Sequence, residues 1–261
     1  MSSLKHPETA SADYPLGLQR SFREKGYACV KGLFDAEELQ ELERELNRYI
    51  KKVVPDLPPQ EAFYEIKDNP ESLKQMHRII DYDPWFREFF LQERFLGLSE
   101  HLLGTPVIPK GVEYFAKPPR IGNATPPHQD GYYFMLEPNE ALTLWVALDE
   151  IDEGNGCIRY VEGSHLKGMR PHAKSNVLGF SQGITDYGPD DALWERPMNC
   201  QPGDLIAHHS MMIHRADANL SDRPRRAMAL VCYSSLAHED SEKLAAYQQE
   251  LTQELLATDK I

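Results

Sequence analysis

The sequence has few features of a secreted, membrane-spanning or metal-clustered protein. Its four cysteines, Cys29, Cys157, Cys200 and Cys232, are far apart and form no CxxC pair, so no zinc motif or compact disulfide framework can be read from them. No apolar run approaches the roughly 20 residues that a membrane span needs. The polar segment Met1–Asp13 lacks the apolar centre of a signal peptide. We therefore expect a reduced, cytoplasmic protein without a membrane partner.

Positive charge is also scarce. The chain has 28 Lys and Arg against 41 Asp and Glu, a net charge of −13, which argues against nucleic-acid binding because phosphate contacts need clustered cations. A small anionic ligand needs only one or two local cations and stays compatible with this charge. The 261 residues are 41% hydrophobic, enough for one domain with a sizeable core. Nothing in the sequence indicates an oligomeric state.

The predicted elements describe a single domain over residues 1–261. A mostly helical part covers about 14–105, a β core about 106–235 and a C-terminal helix about 238–259. Helices are predicted at Leu16–Lys25, after Asp35 in a capping box with Glu38, and at Pro84–Leu91, Arg94–Leu103 and Ser241–Ala257. Strands are predicted at Tyr27–Lys31, Gly111–Lys117, Tyr132–Leu136, Leu142–Leu148, Cys157–Val161, Asp204–His208 and Ala227–Ser234. Short strands at this spacing favour a sandwich or barrel, and Met169–Arg196 is predicted to be a loop or lid.

The segment Pro126-Pro-His-Gln-Asp-Gly131 is the first that indicates chemistry. Residues two apart in an extended segment point to the same face, so His128 and Asp130 can meet one ion. Two histidines and one carboxylate form the facial site of non-haem iron, which leaves positions open for other ligands. An H-x-D pair alone also fits a solvated loop with an incidental hydrogen bond.

A second segment supplies candidates for the third ligand, namely His208, His209 and His214. Arg225 stands eleven residues after His214 and opens another predicted strand. In an antiparallel hairpin this spacing can bring the two side chains into one cavity. A guanidinium binds a carboxylate through two charged hydrogen bonds, so a dicarboxylic co-substrate could chelate iron at one end and meet Arg225 at the other.

These motifs resemble the phytanoyl-CoA dioxygenase family of Fe(II)/2-oxoglutarate-dependent oxygenases over about residues 113–234. Their order and spacing carry the resemblance together, and no single motif does. The matching stretches are Lys117-Pro-Pro119, His128-Gln-Asp130, Trp145, Ala147-Leu148, Asn155-Gly-Cys157, Gly163-Ser-His165, Gly203-Asp204, and His214 through Asn219 to Arg225.

The resemblance implies a mostly β protein with flanking helices, folded as a double-stranded β-helix (a cupin-like jelly roll). It implies Fe(II) held by His128, Asp130 and His214, with 2-oxoglutarate and O2 as co-substrates. Arg225 is the implied partner of the distal carboxylate of 2-oxoglutarate. Thr143 and Trp145 are implied to line the same pocket.

Three neighbouring positions leave alternatives open. Many relatives carry a small hydroxyl residue two positions after the distal histidine, where this chain has Ala216, so that hydrogen bond to the co-substrate is either missing or supplied from elsewhere, with Thr143 as the candidate. Tyr132 is a candidate substrate contact or a core aromatic residue. Lys117 is a candidate contact for an anionic group at the pocket mouth or a solvated lysine.

The resulting hypothesis is an oxygenase that hydroxylates a C–H bond of a small metabolite while 2-oxoglutarate is converted to succinate and CO2. Relatives that halogenate have a small residue in place of the metal-binding carboxylate, so Asp130 favours hydroxylation. Desaturation, ring formation or epimerisation stays open, as does the identity of the substrate. The alternative is a jelly-roll metalloprotein, either a cupin-like enzyme or a non-catalytic binder, that does not use 2-oxoglutarate.

Overall fold

The computed structural model of the chain describes residues 14–258, so the segment Met1–Asp13 lies outside the described residues. The helices are α1 Leu16–Lys25, α2 Ala36–Lys52, α3 Ile79–Tyr82, α4 Pro84–Phe90, α5 Glu93–Leu103, α6 Gly131–Phe134, α7 Pro189–Leu193 and α8 Ser241–Ala257. The strands are β1 Tyr27–Val30, β2 Ala62–Tyr64, β3 Leu73–Met76, β4 Val107–Lys117, β5 Thr125–His128, β6 Leu136–Glu137, β7 Ala141–Ala147, β8 Ile158–Val161, β9 His172–Val177, β10 Phe180–Ile184, β11 Glu195–Pro197, β12 Leu205–His209, β13 His214–Ala216, β14 Arg225–Ser234 and β15 His238–Glu239. Within 14–258, no helix combines the length and apolarity needed to cross a membrane.

Two antiparallel sheets form a jelly roll with flanking helices, as predicted. The major sheet has the strand order β1-β12-β7-β14-β4-β3-β2, and the minor sheet has the order β11-β8-β13-β5. The short pairs β9–β10 and β6–β15 stand apart from these two sheets.

Alternation along the central strands separates two apolar cores. On β14, Met228, Leu230 and Cys232 pack with the helices on one face of the major sheet. Ala227 and Ala229 face the other way and pack between the two sheets.

Several predicted elements are confirmed. The helices α1 and α8 have the predicted bounds, and Asp35 with Glu38 forms the predicted capping box at the start of α2. Gly104 adopts the left-handed conformation that ends α5. These signals are local, because caps and helical periodicity depend on neighbouring residues only.

The predicted strand Tyr132–Leu136 is wrong, because Gly131–Phe134 is a helical turn. The backbone N–H of Tyr132 donates to the carbonyl of Gln129, and that of Tyr133 donates to the carbonyl of Asp130. A Cβ on Gly131 would lie 2.4 Å from Oδ1 of Asn139, so glycine leaves room for that side chain. The aromatic run Tyr132–Phe134 has the composition of a strand, but it forms a helical turn.

Two further predictions were incomplete. The mostly helical first part contains β2 and β3, which extend the major sheet beyond β4. The predicted loop Met169–Arg196 contains the hairpin β9–β10, helix α7 and strand β11. All of these strands are short: β3 is stabilised by pairing with β4, whereas β9 and β10 pair with each other in a tight hairpin.

Candidate active site

Strand pairing brings the three predicted metal ligands together at one end of the jelly roll. His128, the last residue of β5, and His214, the first of β13, are register partners in the minor sheet. Asp130 follows as the residue that precedes α6, with helical backbone angles. One ligand atom from each of these side chains lies within 4.8 Å of the others.

The two histidines present the same nitrogen to the centre of this group. Nδ1–H of His128 donates to the carbonyl of Pro126 at 2.8 Å, and Nδ1–H of His214 donates to the carbonyl of Met212 at 3.0 Å. The Nε2 atoms of His128 and His214 lie 3.5 and 3.6 Å from Oδ1 of Asp130. Backbone carbonyls thus fix both rings with a free Nε2 lone pair beside one carboxylate oxygen, a donor set that fits Fe(II).

The other carboxylate oxygen of Asp130 is held by the major sheet. Thr143 Oγ1 donates to Oδ2 at 3.1 Å, and Nε2 of His208 lies 3.1 Å from the same oxygen. Thr143 and His208 are register partners on β7 and β12, so they reach Asp130 side by side. The hydroxyl of Tyr160 meets Nδ1 of His208 at 2.8 Å. A hydrogen-bond chain therefore runs from Tyr160 through His208 to Asp130.

The protonation states in this group suit a metal site. Burial, together with the imidazole of His128, lowers the pKa of His214 to about 3. Burial by itself would raise the pKa of Asp130, but the imidazoles of His214, His128 and His208 outweigh it and hold that pKa well below its usual range. At neutral pH the aspartate is ionised and His214 is neutral, as metal coordination requires.

Arg225, at the start of β14, lines the same cavity as the triad. Its Nε donates to the carbonyl of Gly156 at 3.1 Å, and its guanidinium carbon lies 5.6 Å from the ring centre of Trp145. Within residues 14–258, no carboxylate forms an ion pair with Arg225, although only 5% of the residue is exposed. Burial lowers its pKa to about 10, so it is still a cation at neutral pH. Its remaining N–H groups are thus available to an anion in the cavity.

Arg226 behaves differently from its neighbour. It points to the opposite face of β14, where its guanidinium pairs with Asp149 and Glu43 at 2.8 and 2.6 Å. Asn219, in the turn before β14, is buried and donates from Nδ2 to the carbonyls of Lys117 and Arg223. It braces the turn that connects the His214 strand to the Arg225 strand.

The remaining predicted residues all line the cavity, in different settings. Trp145 is buried beside Arg225, while the hydroxyl of Thr143 is engaged by Asp130. Lys117 is only 3% exposed, so the solvated alternative is wrong. Tyr132 lies on α6 and stacks on His172 with ring centres 4.4 Å apart.

The cavity has a volume of about 960 Å³. Two of its walls are the hairpin β9–β10 and helix α8, both distant in sequence from the triad. The ring centres of Phe180, in the hairpin, and His128 lie 5.2 Å apart. The hydroxyl of Tyr247, in α8, forms a hydrogen bond with the hydroxyl of Ser181 in the hairpin. A small organic molecule fits such a space beside the triad.

Sequence reasoning missed the contributions of Tyr160 and Phe180. Tyr160 lies on β8, next to His214 in register, where it reads as an ordinary core aromatic residue. Phe180 lies in the predicted loop. His208, one of the three candidate histidines, contacts Oδ2 of Asp130, while His214 completes the triad with His128 and Asp130.

Known proteins resemble this chain in sequence and in fold. The sequence profile of the family described as Phytanoyl-CoA dioxygenase (PhyH) matches residues 22–227. A mouse relative, "Phytanoyl-CoA dioxygenase, peroxisomal", is 27% identical over 230 residues, which cover 82% of this chain and 67% of the relative. An Arabidopsis thaliana relative, "Phytanoyl-CoA dioxygenase", is 31% identical over 157 residues, 59% of this chain and 54% of the relative. The chain thus spans about half of the plant protein's length.

Solved structures with the same fold include the carbocyclase SnoK from nogalamycin biosynthesis, described as non-heme and alpha ketoglutarate dependent. It is 22% identical with a TM-score of 0.73, and the match covers 88% of each chain. EvdO2 from Micromonospora carbonacea var. aurantiaca, solved with 2-oxoglutarate, is 24% identical with a TM-score of 0.68, covering 87% of this chain and 93% of EvdO2. Likeness at this level of identity shows the fold, and the profile match shows the family. The chain belongs to the phytanoyl-CoA dioxygenase family.

Proposed function

We propose that this chain is a single-domain Fe(II)/2-oxoglutarate-dependent dioxygenase that hydroxylates a C–H bond of a small metabolite. The observation that carries the proposal is Arg225, a buried arginine without a carboxylate partner in residues 14–258, in one cavity with His128, Asp130 and His214. A buried cation is costly unless it is paired, so the cavity favours an anionic ligand. A dicarboxylic 2-oxo acid combines that anion with a metal-chelating head.

The iron would be held by Nε2 of His128 and of His214 and by Oδ1 of Asp130. The backbone carbonyls of Pro126 and Met212 keep the two rings oriented. Thr143 and His208 hold Oδ2, so Asp130 offers one oxygen rather than two. A monodentate carboxylate with two imidazoles leaves positions free for the co-substrate and oxygen.

When bound, iron supplies the coupled oxidation in which 2-oxoglutarate and O2 yield succinate, CO2 and an oxidised substrate. Arg225 would orient 2-oxoglutarate by its distal carboxylate, with Trp145 covering one side of the guanidinium. Phe180 lies against His128 and limits the access of water from the hairpin side. The chain's own part is therefore to orient both reactants and to exclude water.

Hydroxylation is favoured over halogenation because the carboxylate of Asp130 would occupy the coordination position on the metal that a halide needs. The substrate is proposed to be a small metabolite because the cavity, of about 960 Å³, has room for a small organic molecule beside the triad, and the aromatic rings of Phe115, Phe180 and Tyr247 line it.

Two measurements test this function in sequence. First, 2-oxoglutarate should raise the melting temperature of the Fe(II)-loaded protein under anaerobic conditions, because it binds only the folded state. Second, a panel of acyl-thioesters, amino-acid derivatives and terpenoids is screened for succinate release, and the product of any active compound is weighed by mass spectrometry. A gain of one oxygen atom supports hydroxylation.

Arg225→Ala should lose most of the rise in melting temperature. Arg223→Ala is its matched control, since Arg223 lies in the turn before Arg225 but pairs with Asp152 outside the cavity. If 2-oxoglutarate leaves the melting temperature of iron-loaded protein unchanged, the chain is a jelly-roll metalloprotein of another kind. If the product has lost two hydrogens instead of gaining oxygen, the reaction is a desaturation.

A further inference from the structure

Two buried basic side chains stand opposite each other in the wall of the cavity. Lys117, the last residue of β4, and Arg225, the first of β14, are register partners in the major sheet. They are 3% and 5% exposed. Like charges directly opposite each other on antiparallel strands repel, and burial removes the water that would screen them.

The acidic residues nearby are already engaged. The charged groups that face Lys117 are Arg225 on β14, Lys74 on β3, Glu65 after β2 and Asp217 after β13. Oε2 of Glu65 accepts from Lys74 at 3.4 Å, and Oδ2 of Asp217 accepts from Arg159 at 2.9 Å. Within residues 14–258, Lys117 has no carboxylate partner, so this end of the cavity carries excess positive charge.

The lysine is held in place along its whole length. Its carbonyl accepts from Nδ2 of Asn219 at 2.8 Å, and Nζ donates to the carbonyl of Asn123 and to Oγ1 of Thr125. A Cβ on Gly156 would lie 2.9 Å from Cδ of Lys117, and one on Gly122 would lie 2.6 Å from its Cβ. The carbonyl of Gly156 also accepts from Arg225. Two glycines thus make room for the lysine beside the arginine.

We propose that Lys117 is a second cationic anchor, beside Arg225, for the distal carboxylate of the 2-oxo acid co-substrate. The inference rests on the proposed function for the identity of the ligand. In this proposal Lys117 contacts the co-substrate inside the cavity, whereas the sequence suggested a contact with an anionic group at the pocket mouth. One carboxylate with two oxygens can meet both cations and offset the repulsion between them.

A carboxylate bound at Lys117 would favour the charged form of its side chain. Burial first, and then the guanidinium of Arg225 and the ammonium of Lys74, hold the pKa of Lys117 well below its ordinary value. An anion bound between Lys117 and Arg225 opposes these effects, so the co-substrate and the proton on Lys117 should stabilise each other.

The test compares two ligands in wild type and Lys117→Met, each loaded anaerobically with Fe(II), by calorimetric titration. 2-Oxoglutarate carries the distal carboxylate, while 2-oxopentanoate has the same head and chain length but ends in a methyl group. We expect Lys117→Met to weaken 2-oxoglutarate by roughly 10- to 100-fold, the usual effect of losing one charged hydrogen bond. Affinity for 2-oxopentanoate should stay within about threefold of wild type.

Thermal unfolding without ligand separates this role from a structural one. Lys117→Met removes a buried basic group without a carboxylate partner but also the hydrogen bonds of Nζ to Asn123 and Thr125, so its ligand-free melting temperature should stay close to that of wild type. Lys110→Met, on the same strand but paired with Glu239 outside the cavity, should change neither affinity.

Three results would overturn the inference. Lys117→Met could bind 2-oxoglutarate as wild type does, could lose affinity for both acids equally, or could fail to fold, which would make the lysine structural. Should wild type itself not bind 2-oxoglutarate, the proposed function fails first and the inference fails with it.

Discussion

At the scale of single residues, the two carboxylate oxygens of Asp130 have different partners. Oδ1 faces the two histidine Nε2 atoms, while Oδ2 is held by Thr143 and His208. The supporting hydrogen bonds come from the major sheet, and the histidine ligands come from the minor sheet. Asp130 thereby connects the two sheets at the site, and changes on either sheet should reach the metal.

The first prediction concerns His214, the third proposed metal ligand. His214→Ala should lower the affinity for Fe(II) by more than roughly 100-fold, because loss of a direct ligand exceeds the 10- to 100-fold cost of losing an outer partner. His209→Ala is the control, since His209 contacts Glu140 instead of the triad. The measurement is iron retained per chain after anaerobic desalting. Equal retention in the two variants would contradict the assignment of His214.

The second prediction concerns the residues that position Asp130. His208→Leu should weaken Fe(II) binding roughly 10- to 100-fold because Oδ2 loses a hydrogen bond and the carboxylate can rotate. Tyr160→Phe acts through His208 and should have a smaller effect in the same direction. His208→Gln, which keeps a donor, should recover part of the loss. Wild-type iron affinity in His208→Leu would show that Thr143 alone suffices.

The pairing of His128 with Asp130 shows how far sequence reasoning reaches at this scale. Their meeting was expected from an extended segment with alternating side chains. In the structure β5 ends at His128, and the chain turns into α6 at Asp130. The structure brings the two residues together as expected, but through a turn in which Asn139 approaches Gly131, a contact that no local pattern indicates.

At the scale of elements, Asp204 connects the start of β12 to the end of β1. Its carboxylate accepts from the backbone N–H groups of Gly32 and Gln201 and from Nζ of Lys31. Burial would raise the pKa of Asp204, but these hydrogen bonds outweigh it, and the pKa is lowered. A lowered pKa in the folded state means that this stabilisation is present above the unfolded-state pKa of about 3.9 and is lost as pH falls through the folded-state pKa.

The third prediction follows from that carboxylate. Asp204→Asn should lower the free energy of unfolding by about 1–3 kcal/mol at neutral pH, mostly through the two backbone contacts, because Lys31 is largely exposed. The difference from wild type should shrink as the pH falls below about 4. Urea titrations across this range measure it, with Asp222→Asn as an exposed control. A difference that does not depend on pH would contradict the role of the charge.

The fourth prediction concerns helix α8, which forms one wall of the cavity. Its contacts with the hairpin are exposed ion pairs of Lys174 with Glu250 and Glu254, together with the Tyr247–Ser181 hydrogen bond. Exposed pairs contribute little, so removal of residues 241–261 should leave iron binding intact. Hydrogen exchange in β9–β10 should become faster. Loss of iron binding would show that α8 supports the triad as well.

The elements that could be predicted are those with local signals. Caps defined α2 and α5, and helical periodicity defined α8. The strands β2 and β3 carry no such signal, since Leu73–Met76 has no apolar alternation and is stabilised by pairing with β4. The hairpin β9–β10 was likewise not predicted, because its segment is rich in turn-forming residues and was assigned as a loop.

At the scale of the whole molecule, an acidic protein encloses a locally cationic cavity. The net charge of −13 gives no hint of this, because Arg225 and Lys117 are only two of 28 basic residues. The family, the jelly roll and the candidate ligands could be inferred from motif order and spacing. The end wall of the cavity could not, because it depends on the register between β4 and β14.

Substrate choice also belongs to this scale. The walls opposite the triad come from β9–β10 and α8, which join the site only through the tertiary fold. Their side chains vary in chemistry from Phe180 to Tyr247 and Lys174, and no motif identifies the molecule that they enclose. Substrate screening is therefore the route to that identity.

The most direct test of the central claim is anaerobic titration of the Fe(II)-loaded protein with 2-oxoglutarate, followed by visible absorption. We expect a weak metal-to-ligand charge-transfer band in wild type and in Arg223→Ala. It should be absent in His214→Ala and should need much higher 2-oxoglutarate concentrations in Arg225→Ala. If fully iron-loaded wild-type protein shows no band at any concentration, 2-oxoglutarate does not chelate this metal, and the account of the site is wrong.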